Sequence, residues 1–98
     1  MLTYVILAKF TEKGIAGIKE SPDRARAFIN AKGAEFGLNV KTTLWLLGEY
    51  DLLIIAEVPN DVTGTAAVVS LAKAGNLKTS TMRAFTADEM KEILAKVS

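Results

Sequence analysis

The sequence contains no cysteine and no histidine. Without cysteine there are no disulfides, no thiolate nucleophile and no Cys-ligated metal, and nothing argues for an oxidising compartment. Without histidine the chain alone cannot assemble a Ser-His-Asp or Cys-His catalytic arrangement, nor a His-ligated haem or zinc. No metal and no cofactor are expected. An excess of charge of one sign is also lacking: 12 Lys and Arg face 11 Asp and Glu, a net charge of +1. The two signs are interspersed, so no basic arm or block points to nucleic acid or to an anionic membrane surface. The apolar start MLTYVILAKF is far too short to span a bilayer and lacks the basic region and small-residue cleavage site of a signal peptide. The expectation is a soluble cytoplasmic protein with neither membrane nor nucleic acid as partner.

Apolar residues are plentiful, making up half of the 98. That suits one domain over residues 1–98, burying about two-thirds of the surface its unfolded chain exposes. The centre of the pattern is Thr42 to Val58, TTLWLLGEYDLLIIAEV. Two short runs rich in Leu, Ile and Trp pivot on Gly48-Glu49-Tyr50-Asp51, which reads as a β-hairpin. Gly48 takes φ > 0 cheaply and Asp51 can accept from nearby backbone, so the turn is locally specified. The second run, Leu52 to Ala56, is apolar at both parities. Such a strand has both faces covered, whereas antiparallel sheets often leave one face to water.

Leu2 to Phe10 reads as a first strand, with Tyr4, Ile6 and Ala8 on one side and Val5 and Leu7 on the other. Thr11 to Glu20, holding Gly14 and Gly17, reads as a loop. Ser21-Pro22-Asp23 predicts a helix start with Ser21 as N-cap, and the helix runs to about Phe36 before Gly37. Its inner stripe is Ala25, Phe28, Ile29 and Phe36, with Arg24, Arg26, Lys32 and Glu35 mostly outside. Strands follow over Leu38–Leu47 and Asp51–Val58. Asn60 or Asp61 caps a second helix with Val62, Ala66, Val69 and Ala72 or Lys73 as a narrow stripe, closed by Gly75-Asn76. Leu77 to Phe85 is a fourth strand. Thr86-Ala87-Asp88-Glu89 fits a capping box before a final helix that should bury Met90, Ile93, Leu94 and Val97.

The order βαββαβ plus a terminal helix predicts an α+β, ferredoxin-like fold: an antiparallel sheet with helices on one face. In its usual strand order the first and third strands are central, and here those are the most apolar. The helix-free face then has an apolar centre, which a lone copy would expose. Packing it on a second copy is the low-cost remedy, so the expected partner is the chain itself, as a homodimer.

Gly48-Glu49-Tyr50-Asp51 resembles the G-x-Y-D signature of the GYD domain family. Tyr4, Thr11, Gly14, Ile18 and Ser21-Pro22-x-Arg24 are similar to that family's first third, and Gly75-Asn76, Thr79-x-Thr81 and Ala84-Phe85 to its last. The resemblance spans nearly the whole chain. It implies a small ferredoxin-like domain of the dimeric α+β barrel type, a fold that hosts enzymes, stress proteins and sensors alike. It carries over no reaction and no catalytic residues.

Four residues stand out as candidate ligand contacts: Trp45, Tyr50, Asp51 and Arg83. Tyr50 and Asp51 admit two readings, a phenol–carboxylate pair that handles protons or a turn in which Asp51 fixes backbone and Tyr50 packs; turn chemistry favours the second. Trp45 reads as a stacking platform or as an aromatic at a dimer seam. Arg83 is the best strand-borne cation for an anion, ahead of Lys9 and Lys41, and shares its parity with Thr79 and Thr81. Two functions follow. One is a non-catalytic dimer binding a protein or a small aromatic or anionic molecule. The other is a cofactor-independent enzyme of the monooxygenase or isomerase type acting on a small aromatic compound. RNA binding on the sheet is disfavoured, because the central strands carry Leu and Ile in place of paired aromatics.

Overall fold

In the computed structural model, which describes all 98 residues, the chain runs through β1 (Leu2–Phe10), α1 (Glu12–Ala16), a 3-10 turn (Ile18–Glu20), α2 (Ser21–Phe36), β2 (Asn39–Trp45), β3 (Leu52–Val58), α3 (Asp61–Lys73), β4 (Leu77–Ala84) and α4 (Ala87–Leu94). The four strands form one antiparallel sheet in the order β2-β3-β1-β4, so the most apolar strands are central, as their sequences require. Helices α2 and α3 cover one face. Beneath them Tyr4, Ile6 and Ala8 of β1 interleave with Leu52, Ile54, Ala56 and Val58 of β3 as the buried cluster. No helix is long and apolar enough to cross a membrane.

Thr11 to Glu20 is helical rather than a loop. The Thr11 hydroxyl accepts from Gly14 N–H at 3.1 Å and donates to the Gly75 carbonyl at 2.6 Å, capping α1 and pinning it to the α3–β4 corner. Gly14 permits this: a Cβ there would lie 2.1 Å from the Asn76 carbonyl oxygen. Ser21 is not the N-cap of α2. It is itself helical and buried, and its hydroxyl accepts the Trp45 indole N–H at 3.0 Å, so it packs rather than caps. The strands of the hairpin are shorter than expected, β2 ending at Trp45 and leaving Leu46 and Leu47 in the turn.

The inner stripe of α3 is also rotated from the expected one. Gly64 and Ala67 are buried, Val68 and Leu71 half-buried, while Val62 and Val69 face outward. The cause is Gly64, where a Cβ would meet the Tyr4 ring and Val58 at 2.8 Å. Only glycine lets the helix sit that close, and 67, 68 and 71 follow from it at helical spacing. Asn60 caps α3 through Thr63 N–H at 2.8 Å.

Helix α4 has its capping box, Thr86 and Glu89 bonding each other's backbone N–H. Its apolar stripe, however, is left largely uncovered: Met90, Ile93, Leu94 and Val97 are 40, 38, 55 and 65 % exposed. The chain is accordingly extended, 51 × 31 × 18 Å with a radius of gyration of 14.6 Å, against about 13 Å for a compact chain of this length. Its accessible surface is 6440 Å², whereas a monomer of this mass exposes about 5,400 Å².

Gly64→Ala should lower stability by about 1–3 kcal/mol, since neither the Tyr4 ring nor β3 can yield without loosening the core. Urea denaturation at fixed protein concentration measures it. An unchanged midpoint would mean that α3 does not approach the sheet so closely.

Candidate functional site

Three regions carry chemistry: the signature turn, the Tyr4 corner and a cavity beneath α2. In the turn, Gly48 has φ +149° with open space around it. Leu46 N–H donates to the Asp51 carbonyl at 2.8 Å and closes the loop. Asp51 then reaches outside its own hairpin. Its carboxylate accepts from Phe10 N–H at 2.9 Å, and its N–H donates to the Ala8 carbonyl at 2.9 Å. Tyr50 lies under the Lys9 ammonium, 5.3 Å from ring centroid to nitrogen, a cation–π contact. The turn is thus a clasp between the β2–β3 hairpin and the end of β1, with the Asp51 carboxylate engaged on backbone.

A phenol–carboxylate pair does exist, but elsewhere. Tyr4 Oη donates to Asp61 Oδ1 at 2.5 Å, across 57 residues of sequence. That bond and the burial of the ring push the Tyr4 phenol above its ordinary value, the hydrogen bond being the larger cause. Arg83 is a neighbour of this corner. Its guanidinium is turned to its own strand end, donating to the Ala84 carbonyl at 2.6 Å and stacking 4.6 Å over Phe85. Trp45 and Arg83 are far apart. Trp45 pairs with Leu52, which lies opposite Ala8, whereas Arg83 pairs with Tyr4 four residues further along. Ordinary sheet spacings put them about 20 Å apart. Direct pairing also places Trp45, Thr79, Thr81 and Arg83 on the side of the sheet that bears the helices. The structure therefore keeps Tyr50 and Asp51 in one turn but on different partners, and leaves Trp45 and Arg83 at separate corners.

The cavity has a volume of about 270 Å³ and lies between α2, α3 and the sheet. Phe10, Phe28, Leu52, Ile54, Leu71 and Leu77 make most of its wall, and Ser21, Arg24, Thr43 and Asn76 are its polar members. None of the four residues singled out in the sequence lines it, although Trp45 touches it through its bond to Ser21. Arg24 belongs there rather than outside the helix stripe. Helical spacing gave the signal, since Arg24 and Phe28 are one turn apart on one face. The Tyr4–Asp61 bond, joining distant segments, had no local signal.

The opposite face of the sheet carries no helix. Val5 pairs with Ile55 and Leu7 with Leu53, and the pairs are flanked by Leu44 on β2 and Met82 on β4. Leu44 is 51 % and Met82 44 % exposed, so the apolar patch extends beyond the central strands. Lys41, the extra residue at a β-bulge in β2, pairs with Glu57 at 3.3 Å near its rim.

The GYD domain model matches residues 4–94, and the chain belongs to the GYD domain family. The glutamine synthetase and cystathionine beta-lyase binding protein of Thermus thermophilus is 29 % identical over 84 residues, which are 86 % of this chain and 88 % of that protein. The crystal structure of FFRP-DM1 is similar over 87 % of this chain and 100 % of that one, with a TM-score of 0.63 and 22 % identity, a likeness of fold.

Asp51→Ala should cost about 2 kcal/mol, because it removes a charged acceptor and strands the Phe10 N–H. Asp51→Asn retains an oxygen and should cost less. Chemical denaturation of the two variants checks both the loss and its order. The Tyr4 phenol has a second signature. With its folded pKa raised above 10.0, its contribution to stability is intact below pH 10 and disappears as pH rises through the folded value. Denaturation midpoints taken from about pH 9 to pH 11.5 should fall more steeply in the wild type than in Tyr4→Phe. Parallel profiles would show that the phenol is not so held.

Proposed function

We propose that this chain is a non-catalytic binding module that acts as a homodimer, closed through the helix-free sheet face, and that its physiological partner is a protein. The observation that carries the reading is the helix-free apolar patch centred on half-buried Val5, Leu7, Leu53 and Ile55, with exposed Leu44 and Met82 beside it. Its strands are apolar on both faces, and only one face has helices over it. The surface in excess of a monomer's, about 1,000 Å² by mass scaling, is of the size one subunit contributes to a standard interface, about 800 Å². The unpacked stripe of α4 adds further apolar surface for a second copy to cover.

A protein partner is supported by the Thermus relative, which is named for binding glutamine synthetase and cystathionine beta-lyase. By that analogy the partner here is a metabolic enzyme, regulated or scaffolded by the dimer. The enzyme reading of the chain itself has weaker support. It needs an uncommitted acid beside Tyr50, and the Asp51 carboxylate already accepts from Phe10 N–H.

Light scattering in dilute neutral buffer should give twice the 10.5 kDa chain mass. Ile55→Lys, which puts a charge at the centre of the patch, should give a monomer that keeps its far-ultraviolet circular dichroism or a chain that fails to fold. A wild-type monomer would contradict the dimer. Binding to the source organism's purified glutamine synthetase or cystathionine beta-lyase, read by interferometry at micromolar concentration, tests the partner class. Silence from both would remove the analogy.

A further inference from the structure

The cavity beneath α2 has a composition that the protein-binding reading does not use. Its wall is apolar and contains no acidic residue. Side chains in native interiors leave few voids larger than a water molecule, and an apolar cavity of about 150 Å³ already accepts benzene. This one is about 270 Å³. Its polar members share a second property, which is that their hydrogen-bonding capacity is not used up within the chain. Arg24 gives one N–H to the Gly17 carbonyl at 2.6 Å. It takes part in neither of the chain's two ion pairs. Ser21 accepts from Trp45, and its own proton goes to no other side chain or carbonyl. The Thr43 hydroxyl has no partner within the protein.

A guanidinium in no direct ion pair, with two free hydroxyl donors and an apolar wall, suits one kind of molecule. A carboxylate is matched by the planar guanidinium fork, and a hydrocarbon body by Phe28, Leu52 and Ile54. We infer that the cavity between α2, α3 and the sheet is a binding site for a small apolar carboxylic acid, its carboxylate on Arg24 and its body one or two rings or a short chain in size. The site is independent of the dimer face, since no residue of its wall belongs to the Val5–Leu7–Leu53–Ile55 patch.

Calorimetry and the fluorescence of Trp45, the single tryptophan, test this with 3-phenylpropionate, octanoate and 3-phenylpropionamide as probes. Trp45 reports because its indole N–H rests on Ser21 at the cavity wall. At least one of the two acids should bind, raise the melting temperature and change Trp45 emission. The amide, which lacks the charge, should bind about ten- to a hundred-fold more weakly than its acid. Arg24→Gln should weaken acid binding by the same factor and bring acid and amide together. Ala25→Leu, which fills the cavity from α2, should abolish binding while leaving the ligand-free protein folded. If Ala25→Leu does not fold, Ala74→Leu fills the same space from the end of α3. No binding of either acid at millimolar concentration would overturn the inference. So would acid binding that Arg24→Gln and both filling variants leave unchanged, because the acid would then sit elsewhere, on the open sheet face for example.

Discussion

Everything in this fold turns on β3, a seven-residue strand that is apolar at both parities and must be covered twice. Its even positions, Leu52, Ile54, Ala56 and Val58, are sealed by α2 and α3. Its odd positions Leu53 and Ile55 pair with Leu7 and Val5 on β1 and with Leu44 and Thr42 on β2, with no helix over them. A sheet with one wet face would alternate apolar with polar residues. Here polar alternation is confined to the edge strands and to the ends of the central ones, at Thr3, Glu57 and Lys9. The same constraint explains why only 11 of the 98 residues are buried in a single copy: half of the material for a core faces outward.

On the covered side, closeness is bought by glycine. Gly64 brings α3 against Tyr4 and Val58, and Gly14 brings α1 against Asn76. These two contacts hold the far corners of the helix layer down. Between them, under α2, the small side chains of Ala25, Ala27 and Ala74 leave the space that forms the cavity. The layer is therefore tight at its ends and open in the middle, a geometry in which a bound molecule would contribute packing that the chain itself does not supply.

The strand order, the double-sided central strands and the capping box of α4 were legible in the sequence because each depends on local spacing or on short-range chemistry. The failures have a common cause, which is contact between segments distant along the chain. Thr11 to Glu20 looked like a loop because Gly14 and Gly17 disfavour helix, yet Gly14 is needed for approach to Asn76. Val62 and Val69 looked like the inner face of α3 because they are apolar, yet Gly64 sets the phase. Ser21 looked like a cap because of Pro22, yet Trp45 claims its hydroxyl. At Tyr50 and Asp51 turn chemistry pointed the right way, to an aspartate that fixes backbone, although its partner Phe10 lies outside the hairpin, and the phenol–carboxylate pair that joins Tyr4 to Asp61 had no local signal. At α4 the stripe is apolar as read, but the expected burial fails, because one copy of the chain offers it little to pack against.

The central claim is that a second copy completes the sheet's open face. Nuclear Overhauser contacts in a sample mixing isotope-labelled with unlabelled chains test it most directly, because filtered spectra retain only contacts between copies. The account predicts intermolecular contacts from the methyl groups of Val5, Leu7, Leu53 and Ile55, and none from Ile6, Leu52 or Ile54 on the covered side. Methyl groups of the open face that show no contact with another copy, at concentrations where the protein is folded, would contradict it.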